Sequence, residues 1–136
     1  MARVRVDLES VQVTESQGAG EGNFELRISV QEGSHGVVWP SLNGSCPVDN
    51  NGPAVTINRA VATYDVDSSV LSKRFTIDVT EVDKGLNGLD DTGHGSVEFG
   101  LTAAMGIVSH EVDIRLKRPR GDYHGKVKVT LTAQID

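Results

Sequence analysis

Apolar and polar residues alternate along most of this 136-residue chain. The run "NFELRISVQ" places Phe24, Leu26, Ile28 and Val30 on one face, which is the period of a half-buried β-strand. In "RVRVDLESVQV" the apolar phase shifts after Ser10, and this shift predicts a β-bulge. The same alternation continues in "AVTINRAVATYDV", "RFTIDVT", "GSVEFGL", "HEVDIRLK" and "KVKVTLTAQI", and "GVVWP" is a further short strand candidate. No stretch keeps the i, i+3, i+4 spacing of a long amphipathic helix.

This pattern predicts an all-β protein with about eight strands, folded as an antiparallel β-sandwich. The length suits one domain over residues 1–136, long enough to bury a core. The segment from Pro40 to Pro53 has three prolines and two Asn-Gly steps, so it is predicted to be a long loop. The apolar residues of the last predicted strand, up to and including Ile135, are expected to face the core.

Charge and composition exclude several classes of function. The formal net charge of −6 argues against a nucleic-acid partner, because phosphate binding needs clustered Lys and Arg. Cys46 is the single cysteine, so neither an intrachain disulfide nor a cysteine-based zinc site is expected. No apolar run approaches the ~20 residues of a membrane span, and the first ten residues lack a signal-peptide core. A soluble chain without a signal peptide is expected, and no compartment is predicted.

The segment "EVDKGLNGLDDTGHG", residues 81–95, has four carboxylates and four glycines directly after a predicted strand. Glu81 continues the inward phase of "RFTIDVT", and Asp83 points the same way. Asp90 and Asp91 can return across the loop because glycines permit tight turns and positive φ, here at Gly85, Gly88, Gly93 and Gly95. Ca²⁺ takes about six to eight oxygen ligands on a flexible backbone, so this composition favours a Ca²⁺ site.

A second acidic, glycine-rich turn lies in "TESQGAGEG", between the first two predicted strands, with Glu15 and Glu21 on either side of Gly18. If both loops lie at the same end of the sandwich, their carboxylates repel one another unless a cation neutralises them. The expected metal ligands are therefore Glu15, Glu21, Glu81, Asp83, Asp90 and Asp91.

These residues resemble the C2-type calcium-binding domains. Glu81-Val82-Asp83 is similar to the paired loop acids of that family, and Asp90-Asp91-Thr92-Gly93 to its returning Asp and glycine. The run from Glu15 to Glu21 is similar to its first acidic loop. The resemblance implies an eight-stranded sandwich, Ca²⁺ as the bound ion, and an anionic membrane surface or a protein as the partner. Leu86 and Leu89 at the loop tip would contact a membrane, but two leucines are a small anchor, so membrane docking is not favoured.

Alternative interpretations stay open from the sequence alone. The acidic loop is also typical of a solvated turn without a ligand. The four histidines show no zinc-binding spacing and are expected in surface or loop positions, with His94 singled out because it lies in the acidic loop. No catalytic motif is present, so the chain is not expected to be an enzyme. A self-assembling structural subunit is the second hypothesis, because the long terminal strands could pair at edges with another copy.

Overall fold

The computed structural model describes residues 1–15, 23–82, 90–119 and 121–136. All regular secondary structure in these ranges is β-strand, which confirms the predicted fold class. The strands are β1 Ala2–Glu15, β2 Phe24–Glu32, β3 His35–Trp39, β4 Cys46–Val48, β5 Val55–Val66, β6 Leu71–Glu81, β7 Asp91–Leu101, β8 Val108–Lys117 and β9 Tyr123–Ile135. No described segment forms a helix long and apolar enough to cross a membrane.

Nine strands form where about eight were expected, because the predicted long loop contains β4. Val48 and Cys46 of β4 pair with Phe24 and Leu26 of β2. The rest of the proline-rich segment provides turns around this short strand, such as the hydrogen bond from the Gly44 amide to the Ser41 carbonyl.

The strands follow the order β3-β2-β6-β7-β8-β9-β1-β5, with β4 on β2, and every ladder between strands is antiparallel. Among the described residues, β7 and β8 share one register pair, Thr92 with Lys117, while the other ladders are longer. The sheet therefore bends between β7 and β8 into two layers, β3-β2-β6-β7 with β4 on β2, and β8-β9-β1-β5.

The core lies between these two layers. The ring of Phe75 on β6 meets the ring of Tyr64 on β5 edge to face, with centroids 6.5 Å apart. The predicted inward row of β1 is fully buried on both sides of Ser10, and the register shift between Leu8 and Ser10 confirms the predicted bulge. Ile135 was expected inward, but it is 41% exposed, although its register partner Val4 is fully buried.

The terminal strands are interior strands of their layer. β1 pairs with both β9 and β5, and β9 pairs with both β8 and β1. Their hydrogen-bonding edges are therefore already used within the chain. The expectation that the terminal strands could pair with another copy is wrong.

A partly buried polar contact lies at the end of the sandwich where β2 meets β3. The Tyr64 hydroxyl donates a hydrogen bond to Glu32, and the Lys73 ammonium lies 3.9 Å from Glu32 Oε1. Burial of the phenol, followed by its hydrogen bond to Glu32, raises the pKa of Tyr64.

This raised pKa predicts a loss of stability in alkali. The unfolded chain releases the tyrosine proton near pH ~10, whereas the folded chain holds it to higher pH. The contribution of Tyr64 is therefore fully present below pH ~10 and declines as the pH rises above it. Urea unfolding at a series of alkaline pH values should show a steeper loss for the wild type than for Tyr64→Phe. Parallel pH profiles for the two proteins would contradict the assignment.

Candidate metal centre

Two of the predicted ligands face each other across the β6–β7 ladder. Glu81, the last residue of β6, is the register partner of Asp91, the first residue of β7. Directly opposed residues of an antiparallel pair point to the same side of the sheet. Glu81 continues the buried row of β6, so both carboxylates lie at the margin of the core, with side-chain exposures of 19% and 14%.

β7 begins earlier than predicted. The alternation predicted a strand that begins at Gly95, and the preceding glycines were expected to form turns. In the structure both Gly93 and Gly95 lie inside β7. A Cβ at Gly93 would overlap the carbonyl oxygen of Arg115, so glycine is needed because β8 crosses β7 closely there. Asp91 is therefore a strand residue and not a loop residue.

A β-bulge brings His124 to the same place. Arg115 pairs with Lys126 but Lys117 pairs with Tyr123, so β9 has one residue more than its partner strand between these two pairs. Gly125, at φ +97°, accommodates the extra residue. The bulge turns His124 inward, where it is 5% exposed and stacks on Phe24 with ring centroids 6.0 Å apart.

Glu81, Asp91 and His124 form a compact group. His124 Nε2 lies 4.0 Å from Glu81 Oε2 and 3.9 Å from Asp91 Oδ2. One ligand atom from each residue lies within 4.8 Å of the other two. These separations exceed a hydrogen bond and suit atoms that share one ion. In the described part of the chain, this is the group of three whose geometry could hold a metal ion.

Arg118 determines which ring nitrogen of His124 accepts a hydrogen bond. Its Nη2 lies 2.6 Å from His124 Nδ1. A guanidinium has donors only, so Nδ1 accepts, and the proton of the neutral ring is on Nε2. The imidazole therefore presents an N–H to the two carboxylates.

The β8–β9 turn holds Arg118 in this position. Its Nη1 lies 3.2 Å from Asp122 Oδ2, and its amide donates to the Asp122 carbonyl at 2.8 Å. The Gly121 amide donates back to the Arg118 carbonyl at 2.8 Å, and Gly121 has φ +100°. The guanidinium is thus fixed between a carboxylate and the imidazole.

The charges around the group favour a cation. Glu81, Asp91 and Asp122 contribute three carboxylates and Arg118 one guanidinium, which leaves two net negative charges when His124 is neutral. Like charges directly opposite each other on a ladder are destabilising. A divalent cation at this position would neutralise them.

The other predicted ligands either lie outside this group or fall outside the described residues. Glu15 is the exposed last residue of β1, and its carbonyl oxygen would lie 2.9 Å from a Cβ at Gly125, so it is at the same end as His124. Asp90 directly precedes β7, and within the described residues neither Glu15 nor Asp90 belongs to the group of three. Glu21, Asp83, Leu86 and Leu89 lie outside the described residues.

His124 was missed by the sequence interpretation, which expected a surface or loop histidine. The available signal was Gly125, because a glycine near the start of a strand often marks a bulge that redirects its neighbour. His94, which was singled out instead, is exposed on β7 opposite Asp78 and lies outside the group.

The donor set fits a cation that is bound through oxygen. The Nε2–H of His124 cannot coordinate a metal, so Glu81 and Asp91 supply carboxylate oxygens, and the histidine presents an N–H whose nitrogen lies 3.9–4.0 Å from them. Carboxylate oxygens are the ligands that Ca²⁺ prefers. Zn²⁺ prefers sets that include imidazole nitrogen or thiolate sulfur.

Comparison with known proteins gives a likeness of fold. No protein-family model matches the chain, and no curated protein matches it. Among solved structures, it is similar to one described as "Structure of a C2 domain", with TM-score 0.45, 14% identity, and coverage of 99% of this chain and 100% of that chain. It is also similar to the C2A domain of plant Extended Synaptotagmin 1, with TM-score 0.43, 12% identity, and coverage of 99% and 95%. At these scores the likeness carries no conclusion about ligands or partners.

Proposed function

We propose that this chain is a non-catalytic module that binds Ca²⁺ at the end of the sandwich where β6 ends and β7 and β9 begin. The observation that carries the proposal is the opposed pair Glu81 and Asp91, held at the margin of the core by a regular ladder. A strand-borne pair costs little conformational entropy when it binds an ion, because both backbones are already fixed.

The position of the pair suggests what the ion does. Glu81 and Asp91 belong to one layer, whereas His124 and Arg118 belong to the other layer and its hairpin turn. The end of β1 lies at the same end, because the Glu15 carbonyl is close to Gly125. A cation here would neutralise the carboxylate pair and convert an acidic rim into a neutral surface that a protein partner can dock on.

Calorimetric titration of Ca²⁺ into chelator-treated protein tests this proposal. The wild type should bind, and the double variant Glu81→Gln with Asp91→Asn should lose binding, because amides are weaker ligands and carry no charge.

The matched control is Asp78→Asn with Glu98→Gln, which removes the same charge from exposed positions on the outer face of β6 and β7. This control should bind Ca²⁺ as the wild type does. Equal affinity of the site variant and the control variant would show that any binding reflects net charge and not this site.

A further inference from the structure

We infer that Arg118 determines which cations this site accepts, by keeping the proton of His124 on Nε2 so that the imidazole turns an N–H, and not a free nitrogen, toward Glu81 and Asp91. The site then takes an ion coordinated by oxygen and excludes ions that require a nitrogen ligand, such as Zn²⁺. The inference rests on the proposed function, since it concerns the specificity of the same site.

The geometry alone would not exclude Zn²⁺. Two carboxylates and an imidazole, with one ligand atom from each within 4.8 Å of the others, also suit a tetrahedral zinc site that keeps an open position. Whether the site binds or excludes Zn²⁺ depends on which nitrogen of His124 carries the proton. The atom that controls this proton is Nη2 of Arg118, 2.6 Å from Nδ1.

A metal-binding histidine usually donates its second N–H to a carboxylate or a carbonyl, which leaves the first nitrogen unprotonated toward the metal. Here the second nitrogen, Nδ1, faces a donor instead of an acceptor. The arrangement is therefore the reverse of the one that zinc needs, and Nε2 carries the proton.

Contacts with Asp122 hold Arg118 beside Nδ1. The same guanidinium contacts Asp122 at 3.2 Å, and its backbone amide is bonded to the Asp122 carbonyl at 2.8 Å. His124 is itself fixed by its stacking on Phe24 and by the bulge at Gly125. The tautomer is a consequence of the hairpin turn and the bulge together.

The test replaces Arg118 with glutamine and measures Zn²⁺ affinity by calorimetry on chelator-treated protein. A glutamine carbonyl can accept from Nδ1–H, which leaves Nε2 to bind metal, so Arg118→Gln should bind Zn²⁺ on the order of tenfold more tightly than the wild type. Arg118→Lys, which also has donors only, should stay like the wild type. Adding His124→Phe, which can keep the stacking on Phe24, should abolish the gain.

Three results would overturn the inference. These are equal Zn²⁺ affinity of Arg118→Gln and the wild type, a gain that survives His124→Phe, and tight wild-type Zn²⁺ binding that His124→Phe removes. A nitrogen-15 NMR spectrum of the imidazole in the wild type gives a result that needs no variant. It should show the proton on Nε2, and a proton on Nδ1 would refute the inference.

These measurements are separable from the test of the proposed function. Zn²⁺ affinity and the tautomer report on Arg118, whereas Ca²⁺ titration of the wild type reports on the carboxylate pair. A wild type that does not bind Ca²⁺ but shows the Nε2–H tautomer and the zinc gain would refute the proposed function alone.

Discussion

Replacing Gly125 with alanine should lower the free energy of unfolding by about 3 kcal/mol, because the new side chain meets both backbone strain and a clash. Gly125 has φ +97°, which L residues rarely adopt. A Cβ there would lie 2.8 Å from two ring atoms of Phe24 and 2.9 Å from the Glu15 carbonyl oxygen. The ring of Phe24 is fully packed in the core, so it cannot move away without opening a cavity.

Urea unfolding followed by the fluorescence of the single tryptophan, Trp39, measures this loss. Gly106→Ala is the control, because Gly106 has no atom within 4 Å of the added Cβ and is not at positive φ. Gly106→Ala should change the free energy of unfolding by less than about 0.5 kcal/mol. An equally small change in Gly125→Ala would show that the bulge tolerates a side chain and does not fix His124.

Truncating His124 to alanine should have an effect of similar size, a loss of about 2–4 kcal/mol in chelator. The substitution removes a side chain that is 5% exposed, its stacking on Phe24, and the acceptor of the Arg118 hydrogen bond. It also removes the N–H that faces the two carboxylates. His124→Phe should recover part of the loss, because it restores the packing without the polar contacts.

The response of these variants to Ca²⁺ separates a donor histidine from a ligand histidine. If His124 presents only an N–H and does not coordinate the ion, His124→Ala should gain at least as much stability from Ca²⁺ as the wild type does. The two carboxylates then repel each other more strongly in the absence of the ion. Unfolding curves in chelator and in excess Ca²⁺ measure this gain. A folded His124→Ala protein that gains nothing from Ca²⁺ would contradict the donor role.

The sequence predicted the parts of the site that depend on local periodicity. The position of Glu81 follows from Phe75, Ile77 and Val79, because a period of two continues to the end of the strand. The fold class follows from the same alternation repeated along the chain. Asp91 was expected to return across the loop, and it lies directly opposite Glu81, although its location inside a strand was not foreseen.

The parts that depend on distant contacts could not be predicted in this way. A strict alternation back from Val127 points Gly125 and Tyr123 inward, whereas the bulge exposes Tyr123 and buries His124. Gly93 resembles a turn residue until β8 is known to cross it. The interior position of β1 and β9 depends on the pairing of Val4 with Ile135, which no local pattern encodes.

The melting temperature of the wild type in excess Ca²⁺ and in chelator is the most direct test of the Ca²⁺ site. An ion that binds only the native state adds about 2.7 kcal/mol at a hundredfold excess over its Kd, or roughly 5–15 °C for a chain of this size. Glu81→Gln with Asp91→Asn should melt in chelator at or slightly above the wild-type temperature, because the repulsion between the carboxylates is gone, and should not respond to Ca²⁺. A wild type that melts at the same temperature in millimolar Ca²⁺ and in chelator would contradict the proposed function.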